Sequence, residues 1–134
     1  MNQQEQLQKY QQIQQQIEQV QDYVMQVEDN INEMEETAKA AKNIENEEVG
    51  SEILVPIGSG AFVVGELKET DKIVTNIGGE AFEKKTVGKA VEILEGRKEQ
   101  LQETHDELQD TIEQLQAQMQ EIQQHLQQAR QDQE

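Results

Sequence analysis

The sequence has no cysteine and no tryptophan, a single proline, and few aromatic residues, which make up 3% of its 134 residues. Without cysteine, the chain can form neither a disulfide nor a thiolate metal site. No apolar run approaches the roughly 20 residues that span a bilayer. Residues 1–6 contain neither a basic region nor an apolar core. We therefore expect no signal peptide and a cytoplasmic location.

Positive charge is also scarce, because 28 acidic residues outnumber 11 basic ones and the net charge is −17. Such a chain repels phosphate groups, so we expect it to bind neither nucleic acid nor an anionic membrane. The hydrophobic fraction of 34% and the mean hydropathy of −0.90 are low for a globular core. These values favour an extended fold with a narrow buried seam, provided that the apolar residues are periodic.

Apolar residues do recur periodically in two polar segments, at alternating spacings of three and four residues. This heptad pattern predicts coiled-coil helices over residues 1–48 and 87–134. Gly50 fits a position just past the end of the first helix. The first seam is Tyr10, Ile13, Ile17, Val20, Val24, Val27, Ile31, Met34, Ala38 and Ala41. The second is Val87, Val91, Leu94, Lys98, Leu101, His105, Leu108, Ile112, Leu115, Met119, Ile122, Leu126 and Ala129.

Two helical segments of similar length flank a central insert, which predicts that they pack together as an antiparallel pair. One register sets Tyr10 against Ile122 and Ile17 against Leu115, so that apolar residues meet along most of the seam. In this register the two polar seam residues have apolar neighbours: His105 faces Val27 and Lys98 faces Met34. A shift by one heptad is compatible with the same pattern, so the sequence leaves the register open.

Residues 49–86 form a third segment, which contains most of the glycines, the proline and both phenylalanines. Its apolar runs, bounded by turn-forming residues, predict two β-hairpins. Pro56 cannot donate a backbone hydrogen bond, so we expect it at an edge or a bulge. Thr86 fits the N-cap of the second helix. The predicted strands cover residues 51–57, 61–67, 72–77 and 80–84.

Both faces of these strands carry apolar residues, and hairpins of this size are marginal alone. We expect the helices not to cover them, because the seam already uses the apolar helix faces. The strands are therefore predicted to be covered by other chains, in a multi-chain β-structure with closed edges. The predicted oligomerisation residues are Ile53, Val55, Ile57, Phe62, Val64, Leu67, Ile73, Ile77 and Phe82.

The predicted fold class is thus mainly α: an antiparallel two-helix coiled coil with two central β-hairpins that join an oligomeric β-barrel. With the stretches 53–67 and 73–79, this architecture resembles the α-type subunits of archaeal prefoldins. Two hairpins favour the α class over the β class. The resemblance implies a chaperone hexamer of two α and four β subunits. It also implies ATP-independent capture of unfolded client proteins and their transfer to a group II chaperonin.

The helix ends farthest from the hairpins are the predicted client-binding tips. Terminal turns of a coiled coil fray and expose seam residues. Residues 1–21 carry only Glu5, Lys9 and Glu18 as charged residues, so the tips are less charged than the shafts. In the alternative interpretation these residues stay paired in the seam. The predicted client contacts are Leu7, Tyr10, Ile13, Ile17, Met119, Ile122, Leu126 and Ala129.

No group of residues predicts catalysis, a cofactor or a metal site. His105 and His125 are separated by about 30 Å along one helix, so they cannot share a metal ion. Gly58-Ser59-Gly60 lies in a hairpin with no helix after it, unlike a phosphate-binding loop. We therefore predict a chaperone that is not an enzyme. The alternative function is a structural adaptor, a coiled-coil tether between two partners without holdase activity.

Overall fold

The computed structural model describes residues 2–132. Met1, Gln133 and Glu134, which the predicted helical segments include, lie outside the described residues. The two helices and two hairpins agree with the predicted fold class, while the division at residues 48 and 86 stays a prediction. The elements are α1 (Gln3–Glu45), β1 (Glu52–Gly58), β2 (Ala61–Glu66), β3 (Lys72–Gly78), β4 (Ala81–Thr86) and α2 (Val87–Asp132).

The contacts within the chain group into two compact units, one within residues 2–31 and 100–132 and the other within residues 32–99. In the first unit, α1 and α2 bury the seam that the heptads predict, because every third or fourth residue faces the partner helix. One cluster of buried residues there comprises Ile13, Ile17, Val24, Ile112 and Ile122, and Tyr10, Val20, Leu108, Leu115, Met119 and Leu126 pack against it.

The two polar seam residues each find an acidic partner on α1. In the first unit, Nε2 of His105 lies 2.9 Å from Oε1 of Glu28. In the second, Nζ of Lys98 lies 3.1 Å from Oε1 of Glu35. Each partner is the next residue after the one expected opposite, Val27 or Met34. The pairs therefore agree with the predicted register and not with a shift by one heptad.

In the second unit, turns and caps connect the helices to the hairpins. α1 ends at Glu45, three residues before the predicted boundary, and Gly50 adopts a φ of 91°, which glycine tolerates best. The Gly50 N–H donates to the Leu67 carbonyl at 2.7 Å. At the start of α2, the Lys89 N–H donates to Oγ1 of Thr86 at 3.2 Å, which confirms the predicted N-cap.

Both hairpins are antiparallel, and each contains an irregularity beside its turn. In β1–β2 it lies between Pro56 and Gly58, as the missing N–H of proline leads one to expect. In β3–β4 it lies between Asn76 and Gly78. The fourth strand extends to Thr86 rather than Lys84, because Lys85 and Thr86 continue the pairing with β3.

The two hairpins repeat each other at an interval of 20 residues, a signal that the sequence analysis missed. Both pair in the same register and shift at equivalent positions. Both hairpins lie within the second unit. The identical pairs are Ile53 and Ile73, Ile57 and Ile77, Gly58 and Gly78, Ala61 and Ala81, and Phe62 and Phe82.

The hairpins differ in how they contact the helices of the chain. Ile73 in β3 packs on the buried residues Ala41, Val87 and Val91. The expectation that the helices leave the strands uncovered is therefore wrong for β3. Small residues at this end of the seam leave room for an isoleucine to enter. All of β1, by contrast, is exposed.

We expect Thr86→Ala to lower the free energy of unfolding by about 1 kcal/mol, since it removes the N-cap of α2. Thr104→Ala is the matched control. Oγ1 of Thr104 donates to the Gln100 carbonyl inside the helix at 3.1 Å, an interaction that adds little to helix stability. Urea unfolding monitored by circular dichroism measures both changes. Equal losses in the two variants would contradict the capping role.

Candidate functional site

An open groove of about 230 Å³ lies near the helix ends in the first unit. Leu7 has half of its surface exposed there. Tyr10 and Leu126 are partly buried against the seam and continue the apolar surface. We call this surface the tip groove, and it is lined by Leu7, Tyr10, Gln123, Leu126, Gln127 and Arg130.

The eight predicted client contacts fall into two groups in the structure. Ile13, Ile17 and Ile122 are buried in the seam, with 3%, 8% and 9% of their surfaces exposed. An unfolded chain can reach these three only where the helices separate locally. The other five are exposed or partly buried: Leu7, Tyr10, Met119, Leu126 and Ala129. Contact between a client and any of the eight stays a prediction.

The polar lining of the tip groove was not predicted. Gln123, Gln127 and Arg130 lie three residues before, one after and four after Leu126 on α2. Positions three and four residues away adjoin each other on a helix surface, so they border any exposed seam residue. Their spacing from the seam residue Leu126 could have predicted that they border the groove. Arg130 is the one charged residue in this lining.

A second groove, of about 240 Å³, lies in the same unit and is more polar. Ile122 contributes buried apolar surface, and Lys9, Glu121 and His125 contribute ionisable groups. Gln6 and Gln118 complete it. Charges of both signs make this surface less suited to an apolar segment than the tip groove.

The hairpins carry the largest exposed apolar side chains of the second unit. Several predicted oligomerisation residues are exposed, including Ile57, Phe62, Val64 and Phe82, at 55–67% of their surfaces. Leu67 and Ile73 are only partly exposed. The prediction omitted three exposed strand residues, Leu54, Val63 and Val74. The apolar runs in the sequence contain all three.

The second hairpin also carries ion pairs. Nζ of Lys84 lies 2.8 Å from Oε2 of Glu69, and Nζ of Lys85 lies 2.9 Å from Oε2 of Glu83. The hydrogen bond from Lys84 lowers the pKa of Glu69, with smaller contributions from the charges of Lys84, Lys72 and Lys68. This bond connects Glu69, in the loop between the hairpins, to Lys84 of β4.

Among residues 2–132, no three His, Cys, Asp or Glu residues are placed to hold a metal ion. None of the helices described is long and apolar enough to cross a membrane.

The comparison with protein families decides the identity of this fold. The family model described as prefoldin subunit matches residues 13–132. The chain belongs to the prefoldin family. This result confirms the resemblance drawn from the hairpin stretches 53–67 and 73–79.

Curated relatives identify the class of prefoldin that the chain resembles. The prefoldin subunit alpha of Thermofilum pendens is 41% identical over 64 residues, 48% of this chain and 50% of the relative. That of Methanosarcina barkeri is 38% identical over 65 residues, 48% of this chain and 45% of the relative. The chain thus spans about half the length of the curated relatives it matches. These names confirm the predicted likeness to archaeal α-type subunits.

A solved prefoldin structure has the same fold. The cryo-EM structure of filamentous PFD from Methanocaldococcus jannaschii matches with a TM-score of 0.79 at 21% identity. The match covers 86% of this chain and 95% of that one. It confirms that helices joined by two β-hairpins form the prefoldin fold.

Lys84→Gln is expected to raise the pKa of Glu69 towards its ordinary value, because it removes the main hydrogen bond to the carboxylate. A lowered pKa means that this pair stabilises the fold above the ordinary carboxyl pKa, and that the stabilisation disappears as the pH falls through the lowered value. NMR titration of the carboxyl carbon measures the pKa. Lys85→Gln removes the partner of Glu83 and is the control; it should leave the pKa of Glu69 unchanged.

Proposed function

We propose that this chain is a subunit of an ATP-independent prefoldin chaperone that binds unfolded client proteins at its tips and transfers them to a group II chaperonin. The tip groove is the observation that carries this proposal. Its lining combines exposed and partly buried apolar side chains with the amides of two glutamines. The chain as a whole carries a net charge of −17. We further propose a cytoplasmic location and no catalytic role.

The tip groove is suited to unfolded chains of varied sequence. Leu7, Tyr10 and Leu126 offer apolar contact, which is non-directional and needs no defined client shape. Gln123 and Gln127 can each donate and accept hydrogen bonds, so they satisfy the backbone of an unfolded segment. Because the apolar surface is small, one groove binds weakly, and tight capture requires several grooves on one particle.

Assembly through the hairpins supplies those additional grooves. The exposed side chains Leu54, Ile57, Phe62, Val74 and Phe82 form apolar surface of the kind that marks protein interfaces. We propose that the partners are other prefoldin subunits, in a hexamer of two α-type and four β-type chains. Membership of the family and the shared two-hairpin fold support this assembly.

Leu7→Gln is expected to reduce protection of an unfolded client about two- to fivefold, because it removes apolar surface from the tip groove. Met25→Gln is the matched control, since Met25 lies on the same helix with 62% of its surface exposed and outside the groove. Light scattering of a denatured model protein, in the presence of the assembled complex, measures protection. Equal protection by the two variants would exclude Leu7 as a client contact.

Removal of residues 1–13 and 120–134 is expected to abolish protection while the hairpins still assemble. The deletion removes the tip groove and leaves β1 to β4 intact. Aggregation assays and native mass spectrometry of the co-purified complex measure the two properties. A truncated complex that still protects clients would overturn the tip proposal. Binding of one folded partner and of no unfolded client would instead favour the structural adaptor.

A further inference from the structure

The edge of the seam on which Leu7 lies changes from polar to apolar along the first unit. In a coiled coil, every seventh residue of a helix lies on the same edge of the seam. On this edge, Nε2 of His105 and Oε1 of Glu28 lie 2.9 Å apart across the seam. Successive steps of seven residues from this pair lead to Gln21 and Ile112, then Gln14 and Met119, then Leu7 and Leu126. Both residues are apolar only at the last step, which lies in the tip groove.

This change widens the apolar surface at the tip groove. Two apolar positions per heptad are sufficient for the seam between two helices, whereas a third, flanking position makes the wider stripe of helices that pack in larger bundles. Leu7 supplies such a flanking position beside Tyr10 and Leu126. Leu7 and Tyr10 are three residues apart on α1, so they adjoin each other on the helix surface. The groove therefore has the pattern of a site for a third helix.

The backbone of the tip groove also favours a helical occupant. All residues of its lining belong to α1 and α2, whose N–H and C=O groups bond within each helix. The groove therefore offers no strand edge with which an extended segment can pair. The amides of Gln123 and Gln127 can satisfy only a few of the backbone groups of such a segment. A helix satisfies most of its own backbone groups, so it can place apolar side chains in the groove without leaving polar groups unpaired.

The charge of the tip groove specifies a further feature of the occupant. Arg130 is the one charged residue of the lining, and none of the ion pairs within residues 2–132 involves it. Asp132 follows two residues later, a spacing at which helical side chains do not face each other. Glu5 and Glu121 also lie outside the lining. A guanidinium group binds a carboxylate through two parallel hydrogen bonds, so Arg130 favours an acidic residue on the occupant.

We propose that the tip groove binds a segment of an unfolded client as an amphipathic α-helix. Its apolar residues, spaced three and four apart, cover Leu7, Tyr10 and Leu126, and a carboxylate side chain beside them meets Arg130. The segment is unfolded when free and forms the helix as it binds. Many sequences can form such a helix, so the groove still accepts varied clients. The inference rests on the proposed function and names the class of client segment that the groove binds.

Three synthetic peptides, added to the assembled complex of full-length chains, test this class. The first has leucines spaced three and four apart, glutamates beside them and alanine elsewhere. The second has lysine in place of each glutamate, and the third is the first with a central alanine replaced by proline, which breaks the helix. All have amidated C-termini, so every carboxylate is a side chain. We expect the first to bind about tenfold or more tightly than the third. Fluorescence anisotropy measures affinity, and transferred NOEs between residues three apart report a bound helix.

Arg130→Gln tests the carboxylate preference, with Lys9→Gln as the matched control. Lys9 lies in the second groove of the same unit and outside the tip groove. Each variant removes one positive charge, so long-range attraction of a peptide changes alike in both. We expect the glutamate peptide to bind Arg130→Gln about two- to fivefold more weakly than Lys9→Gln, because exposed ion pairs are weak. The lysine peptide should bind Arg130→Gln no more weakly than Lys9→Gln. Circular dichroism checks that both variants fold.

Two outcomes would overturn the proposal directly. If the proline peptide binds as tightly as the first peptide, or the first binds without helical NOEs, the occupant is an extended segment. If the glutamate peptide binds both variants alike, Arg130 does not select a carboxylate. A complex that protects a denatured client but does not bind the first peptide would refute this inference and leave the chaperone function intact. A complex that binds the first peptide as a helix but gives no protection would support the inference and fault the function instead.

Discussion

The apolar seam between α1 and α2 is the interaction on which the rest of the structure depends. The chain has few large apolar residues, and the heptads place them so that Ile13, Ile17, Val24, Ile112 and Ile122 are buried in one narrow cluster. Outside this seam, the helix surfaces are polar and acidic, which keeps the paired helices in water. Because the seam takes up the apolar helix faces, little remains to cover the hairpins.

The same helix pairing that buries the seam therefore leaves most of the hairpin surface without cover from the helices. Among the strand residues that the structure describes, Ile73 is the one that packs on the helical cluster of Ala41, Val87 and Val91. Most other strand residues are exposed, including all of β1, and an exposed apolar edge is available for pairing with another strand. Pro56 has no N–H to donate from β1, and the Asn76 carbonyl in β3 accepts a hydrogen bond from Nη2 of Arg97.

The tip groove, in the first unit, is also formed by few apolar side chains. Leu7 precedes Ile13, the first buried residue of the seam, and has half of its surface exposed. Gln123 and Gln127 border it together with Arg130, the one charged residue of this lining. A surface of this kind is selective for apolar content and indifferent to sequence, which is what binding to many unfolded chains requires.

The sequence alone determined the helices, the two hairpins and the N-cap at Thr86, because heptad spacing, turn residues and caps are local signals. It left the helix register open, since apolar contacts alone tolerate a shift by one heptad. The tertiary structure decided it through the hydrogen bond of His105 with Glu28 and the ion pair of Lys98 with Glu35. Only the structure separated the buried Ile13 from the exposed Leu7, and the docked β3 from the exposed β1. These distinctions depend on which residues meet across long stretches of chain, and periodicity carries no information about that.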